Sequence, residues 1–276
     1  MKNICIYTLG RSGSNYLRSF IYQNDYILLN EPFTLSSRYN AAQFLMGVSL
    51  LYQNHKINLP YLKELITLAL ESQDSHESKK TELLDIKLLK LWFAEIQTQT
   101  TPKNILWKFM SWYDDTFNLN ICNIYDNIDY LVLNYRKNIL KQWISVIKAR
   151  QTGEWITDKK SINYDIKIIW NKTNYLSFVD YTERHHKLMK INFDQFDKNK
   201  TIICYENLCK TDEGGHPYLH NKFQKADIIL PINHSVSIQR QSDPNQSIED
   251  NFLNKEKFLE DYDSIKDKIL TNVLLD

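Results

Sequence analysis

Apolar and polar positions along the chain switch repeatedly between a period of two and a helical period. Asn3 to Leu9 is short and alternating, with Ile4, Ile6 and Tyr7, and reads as a buried strand. Gly10-Arg11-Ser12-Gly13-Ser14 follows it. From Asn15 to Gln23, Leu17, Phe20 and Ile21 recur at helical spacing, with Ser14 placed as the N-cap. A second strand, Tyr26 to Leu29, ends at Asn30-Glu31-Pro32-Phe33, where Pro32 forbids further pairing. Helical periodicity then runs from about Asn40 to Gln99, broken near Asn54-His55, at Pro60 and across Ser72 to Ser78. The stretch Asn104 to Trp112, with Ile105, Leu106, Trp107, Phe109 and Met110, is a third strand, and Lys108 is its odd residue. Ile128 to Asn134 is a fourth, leading through Tyr135-Arg136-Lys137 into a helix with Ile139, Leu140, Trp143, Ile144 and Ile147 that Gly153 stops. A long helix over about Ile166 to Lys190 and a last strand, Thr201 to Tyr205, precede a polar tail that contains a helix. Strands alternating with helices predict an α/β fold, with a mainly parallel central sheet flanked by helices.

Composition narrows the partners more than the fold. With 34 Lys+Arg against 33 Asp+Glu and a net charge of +1, the chain lacks the one-signed field that non-specific nucleic-acid or anionic-membrane binding requires. Any anion site must therefore be local. No run of about 18 apolar residues exists, so no membrane span is expected. Met1 to Leu9 lacks the apolar stretch and cleavage site of a signal peptide. Cys5, Cys122, Cys204 and Cys209 never form C-x-x-C, which indicates neither a disulfide framework nor a redox pair, and a cytoplasmic location is the default.

Gly10 and Gly13 are two of only six glycines, and both fall in the first strand-to-helix turn. A glycine turn that feeds a helix N-terminus gathers outward N–H groups and the positive end of the helix dipole, which favours phosphate or sulfate. Arg11 adds a forked cation there. The alternative is a tight turn carrying a solvated arginine. The turn is not a Walker A loop, since G-x-x-x-x-G-K-[ST] is missing, and ATP hydrolysis loses its main support.

Gly10-Arg11-Ser12-Gly13-Ser14 after one strand and Asn30-Glu31-Pro32-Phe33 after the next resemble the sulfotransferases that use 3′-phosphoadenosine 5′-phosphosulfate (PAPS). A second block strengthens the resemblance: Leu131-Val132-Leu133-Asn134-Tyr135-Arg136-Lys137, then Ser145, then Ala149-Arg150-Gln151-Thr152-Gly153-Glu154-Trp155. The Thr-Gly-x-Trp ending is similar to the bacterial branch that includes trehalose and Nod-factor sulfotransferases. Together the blocks cover about a third of the chain, and residues 34 to 103 match no pattern. The resemblance implies a single three-layer, P-loop-like α/β domain over residues 1–276, with a helical insertion at about 34–103. It also implies that Arg11, Ser12, Gly13, Ser14 and Asn15 cradle the 5′-phosphosulfate, while Arg136, Lys137 and Ser145 hold the 3′-phosphate. Two departures stand out. Asn15 replaces the usual Thr, and Lys137 stands in the register of the usual Arg, where it binds phosphate as a point charge; Arg136, one position earlier, is the alternative.

For sulfuryl transfer to an acceptor hydroxyl, the resemblance implies Arg11 as the stabiliser of developing charge and Glu31, in its Glu-Pro context, as the base. The alternative for Glu31 is a helix-start carboxylate paired with Arg38. Lys108 completes the catalytic set, near the leaving oxygen or orienting the acceptor; its alternative is a lysine facing water from a strand end. No metal is required by this scheme. The expected acceptor is a hydroxyl-bearing small molecule or glycan, such as a carbohydrate or glycolipid, and the sequence fixes neither its identity nor the oligomeric state. Two other classes stay open: a P-loop kinase-like phosphotransferase and a non-catalytic nucleotide-binding protein.

Weaker signals are read conservatively. Cys204, Cys209, His216 and His220 have a spacing too short for the usual zinc finger. His185-His186, in the charged stretch Thr182 to Lys190, reads as solvated surface. Tyr205-Glu206-Asn207-Leu208 is similar to a strand-end motif of the family and reads as structural, and Arg240 is a weak further phosphate candidate. Trp155 is the aromatic residue best placed to stack on a ligand, whereas core packing is the default for most of the 17 Tyr and 6 Trp.

Overall fold

In the computed structural model, residues 2–21, 26–29, 104–112, 120–153, 166–209, 216–224, 247–271 and 273 are described. Their elements run β1 (Asn3–Thr8), α1 (Ser14–Ile21), β2 (Tyr26–Leu29), β3 (Asn104–Met110), a 3-10 segment (Ile121–Asn127), β4 (Tyr130–Tyr135), α2 (Ile139–Thr152), α3 (Lys172–Gln195), β5 (Asn199–Cys204), α4 (Tyr205–Leu208), α5 (His216–Phe223) and α6 (Lys255–Ile265). The strands form a five-stranded sheet in the order β2-β3-β1-β4-β5. β2 and β3 run parallel, with Tyr26 opposite Asn104 and Leu29 opposite Trp107. The expected α/β architecture, a parallel sheet flanked by helices, is what forms. Every residue of β1 and β4 is buried, which is the mark of strands covered on both faces.

The order of the strands has a chemical consequence. The connection leaving β1 goes to β2 on one side of the sheet, and the connection leaving β4 goes to β5 on the other. Adjacent strands whose connections part in this way leave a crevice beyond their carboxyl ends, where α/β proteins bind ligands.

Contacts divide the chain into two compact units, residues 1–7, 23–131 and 196–199 in the first and residues 8–22, 132–195 and 200–276 in the second. The first unit packs Tyr7 edge-on to Phe109 at 5.8 Å and Tyr125 edge-on to Phe196 at 5.1 Å. Its buried Asn3 is satisfied by the Trp107 indole N–H at 2.6 Å and by its own amide donating to the Asn127 carbonyl. Burial raises the Cys5 thiol well above its ordinary value. Lys108 is 2% exposed within β3, so the strand-end lysine facing water is ruled out.

The second unit is built around an aromatic cluster of Trp143, Trp170, Tyr175, Phe252 and Phe258. Trp170 lies 5.5 Å from Trp143 and 5.1 Å from Phe258, both edge-on, and its indole N–H donates to Asp261 at 3.0 Å. This cluster explains a correction. The long helix begins at Lys172, not near Ile166, because Ile168 pairs with Phe252 in an extended bridge and the Asn171 side chain caps the amide of Asn174 at 3.0 Å. It then runs on to Gln195. Its buried stripe is Tyr175, Val179, Thr182, His186, Met189 and Phe193, a spacing of four and three in turn. His185 and His186, 1% and 0% exposed, are thus core residues and not solvated surface. His186 Nδ1 pairs with Thr271 Oγ1 at 3.1 Å, and burial followed by the charge of His185 lowers its pKa to about 4. α2 ends as expected, with Gly153 left-handed at φ 71°.

Candidate functional site

At the carboxyl ends of β1 and β4, within the second unit, the chain concentrates buried polar side chains that no core needs. Thr8 and Ser12 are both 0% exposed and share a hydroxyl–hydroxyl hydrogen bond. Ser12 Oγ donates to Asn134 Oδ1 at 3.1 Å, and the Asn134 amide reaches the Ile203 carbonyl at 3.5 Å. Each hydroxyl has one proton, so the chain Thr8 to Ser12 to Asn134 satisfies both. It ties the first turn to β4 and β5. A second tie comes from α2, where Gln142 Nε2 donates to the Gly10 carbonyl at 2.7 Å and Ser145 Oγ accepts from Arg11 Nε at 2.9 Å. Gln142 and Ser145 are three residues apart and share a helix face.

The turn so held is strained where it matters. Arg11 has φ 61°, the one positive value outside glycine among the described residues, and Gly13 has φ 83°. A Cβ on Gly13 would lie 2.0 Å from the Tyr205 ring, so only glycine fits under that ring. The Gly13 carbonyl also accepts from Leu17 N at 2.9 Å, which makes Gly13 the residue preceding the helix, with the buried Ser14 as its first member and not its cap. Asn15, half-buried, follows in α1.

Two guanidinium groups meet at this turn. Arg11 is held to about 10 from an ordinary 12.5 by burial first and then by the charge of Arg136, and it stays cationic at neutral pH. Arg136, 8% exposed, lies with its guanidinium carbon 5.0 Å from the centre of the Tyr205 ring. Its Nε is 3.9 Å from Glu206 Oε1 and makes no hydrogen bond among the described residues. Lys137, by contrast, is exposed, so Arg136 is the buried cation of the pair. Glu206 accepts from the backbone N–H of Lys137 at 2.8 Å and of Asn138 at 2.9 Å, while Cys204 Sγ donates to it at 3.3 Å. Asn138 in turn caps α2, accepting from Lys141 N at 2.8 Å.

The structure therefore brings Arg11, Ser12, Gly13, Arg136 and Ser145 together, with Lys137 at the rim. Lys108 lies in the first unit, and Glu31, residues 34 to 103, Trp155 and Arg240 lie outside the described residues. Thr8, Asn134, Gln142, Tyr205 and Glu206 were not foreseen as members. A signal existed for Asn134 and Gln142, polar residues at apolar register in a buried strand and helix. Tyr205 and Glu206 carried only a local pattern.

Chemically, the arrangement offers a buried cation, Arg136, and a half-buried one, Arg11, that repel each other, a glycine turn at a helix start and the hydroxyl of Ser145. That hydroxyl accepts from Arg11, and a hydroxyl that accepts one hydrogen bond still has a proton to donate. Such a set selects an anion. No family model matches the chain, and the search of curated proteins finds no match.

Proposed function

We propose that the chain is a PAPS-dependent sulfotransferase that transfers a sulfuryl group to an acceptor hydroxyl, with a carbohydrate or glycolipid as the acceptor class. The P-loop-like description of the fold belongs to the same reading. One observation carries it: Arg11 of the first block hydrogen-bonds Ser145 of the second, so the two stretches that resemble the phosphosulfate and 3′-phosphate elements meet at the first turn. The buried Nε of Arg136, unpaired among the described residues, and the mutual repulsion of Arg136 and Arg11 fit a ligand that carries anionic groups at two positions.

PAPS, when bound, supplies an activated sulfuryl group already joined to a phosphate leaving group. Arg11, with the amides of Ser12 to Asn15, would hold the 5′ end and oppose the charge that builds on the oxygens. Arg136, Ser145 and the exposed Lys137 would hold the 3′-phosphate. In this reading Glu31 takes the acceptor proton and Lys108 serves the leaving oxygen or the acceptor.

Thermal unfolding with 3′-phosphoadenosine 5′-phosphate, with ADP and with ATP plus magnesium, at equal concentrations, tests the reading. At 100 times its dissociation constant a ligand adds about 2.7 kcal/mol, which moves the midpoint of a chain this size by roughly 5–11 °C. Selective stabilisation by the 3′-phosphorylated nucleotide is the expected result. Equal or greater stabilisation by ATP replaces the reading with a kinase-like one. Arg11→Ala is expected to lose that response, and an undiminished shift removes Arg11 from the site.

A further inference from the structure

Glu206 sits where an incoming anion would find its partners. Its carboxylate takes two backbone N–H groups at the start of α2, at 2.8 and 2.9 Å, beside the guanidinium of Arg136. Outward amides at a helix start together with an arginine are what a phosphoryl oxygen recruits. Yet the carboxylate fills the position incompletely. At 3.9 Å it is beyond hydrogen-bond reach of Arg136 Nε, which is buried with no acceptor among the described residues. The two partners also differ in freedom. The Glu206 side chain is 28% exposed and can turn to water, whereas that of Arg136 is 10% exposed and lies against the Tyr205 ring.

We propose that the Glu206 carboxylate is a displaceable internal anion, which occupies the Arg136 position until a phosphoryl group of the ligand takes it over. Glu206 thereby sets the affinity threshold of the site. This inference rests on the reading of the crevice as an anion site. Its direction is opposite to that of an ordinary binding residue, since removing the glutamate charge removes a competitor and a source of repulsion.

The test is calorimetric titration of inorganic phosphate and of 3′-phosphoadenosine 5′-phosphate into the wild type, Glu206→Gln and Glu260→Gln. The last changes net charge equally at an exposed position of α6. Glu206→Gln is expected to bind both anions about tenfold more tightly, with Glu260→Gln unchanged. Equal or weaker binding by Glu206→Gln overturns the proposal. A second reading needs no variant: the amide protons of Lys137 and Asn138 in the wild type should shift as phosphate saturates the chain, and static resonances also overturn it. If the wild type responds alike to 3′-phosphoadenosine 5′-phosphate and ADP, the cofactor assignment fails, while the inorganic phosphate comparison still decides the role of Glu206.

Discussion

Helix α2 shows two kinds of packing on one element. At 100° per residue, Ile139, Trp143 and Ile147 face the aromatic cluster, and Gln142 and Ser145 face the first turn, roughly on the opposite side. The aromatic side is fixed by volume, with ring upon ring and few directional demands. Donor geometry fixes the other side, where each buried polar atom needs a particular partner and Gln142 Oε1 has none among the described residues. The difference teaches that stability and specificity are assigned to separate faces. The rings hold the helix still so that two side chains can hold a strained turn.

That division can be attacked from either side. Trp170→Ala, deep in the cluster, is expected to cost about 3–5 kcal/mol in denaturant unfolding while the molecules that remain folded keep their ligand preference. A lost preference would mean that the two faces are not independent. Acid should strike a buried group outside that cluster, His186 against Tyr135 and Thr271. His186 is held at about 4 against an ordinary 6.5, so the folded state keeps it neutral where the unfolded state binds a proton. Its contribution is full above pH 6.5 and is lost as pH falls from there toward 4, on the order of 3 kcal/mol in all. A midpoint-against-pH curve for His186→Met that is flat over that window, set against a sloping wild-type curve, checks this.

On the polar side, Asn134→Ala takes the buried Oδ1 acceptor from Ser12, while Thr8 keeps the backbone carbonyl of residue 134 at 3.1 Å. It is expected to cost about 1–3 kcal/mol and to abolish the nucleotide response as well, read by unfolding with and without ligand. Gln142→Ala should have the smallest effect on stability, about 1 kcal/mol, because it removes one good hydrogen bond but also an unpaired carbonyl. Its ligand dissociation constant should nevertheless rise. An unchanged constant would make the tie to Gly10 purely structural.

β1, β3 and β4 were legible because strands buried on both faces are written as short apolar runs, and they and the partly exposed edge strand β5 fall within two residues of their expected starts. The start of α3 was not legible. Ile166 to Trp170 has apolar residues at spacings that suit a helix, and only the remote Phe252 turns them into an extended bridge. His185-His186 was misjudged from the charges around it, although the four-three stripe from Tyr175 to Phe193 was present in the letters. For the candidate site, the two blocks pointed to Arg11, Arg136 and Ser145, but sequence does not say which member of Arg136-Lys137 is buried; that is settled by the Tyr205 ring, which comes from another strand end. The Thr8–Ser12–Asn134 chain was hidden for the same reason, being made of residues common in any turn or strand and given meaning only by the neighbour each meets.

The segment after α6 pairs with the start of α2: Asn138 bridges Leu270, Ile139 N donates to the Ile269 carbonyl and Thr271 N to that of Lys137. During synthesis the elements around Arg136 emerge early and wait for their fastening until the ribosome has passed Thr271, on the order of ten seconds later. A nascent chain stalled before that point would carry all of the site's residues in an unfinished crevice. The site is thereby coupled to the arrival of residues 269–271, and a chain cut before them lacks the clasp at α2 rather than any residue of the site itself.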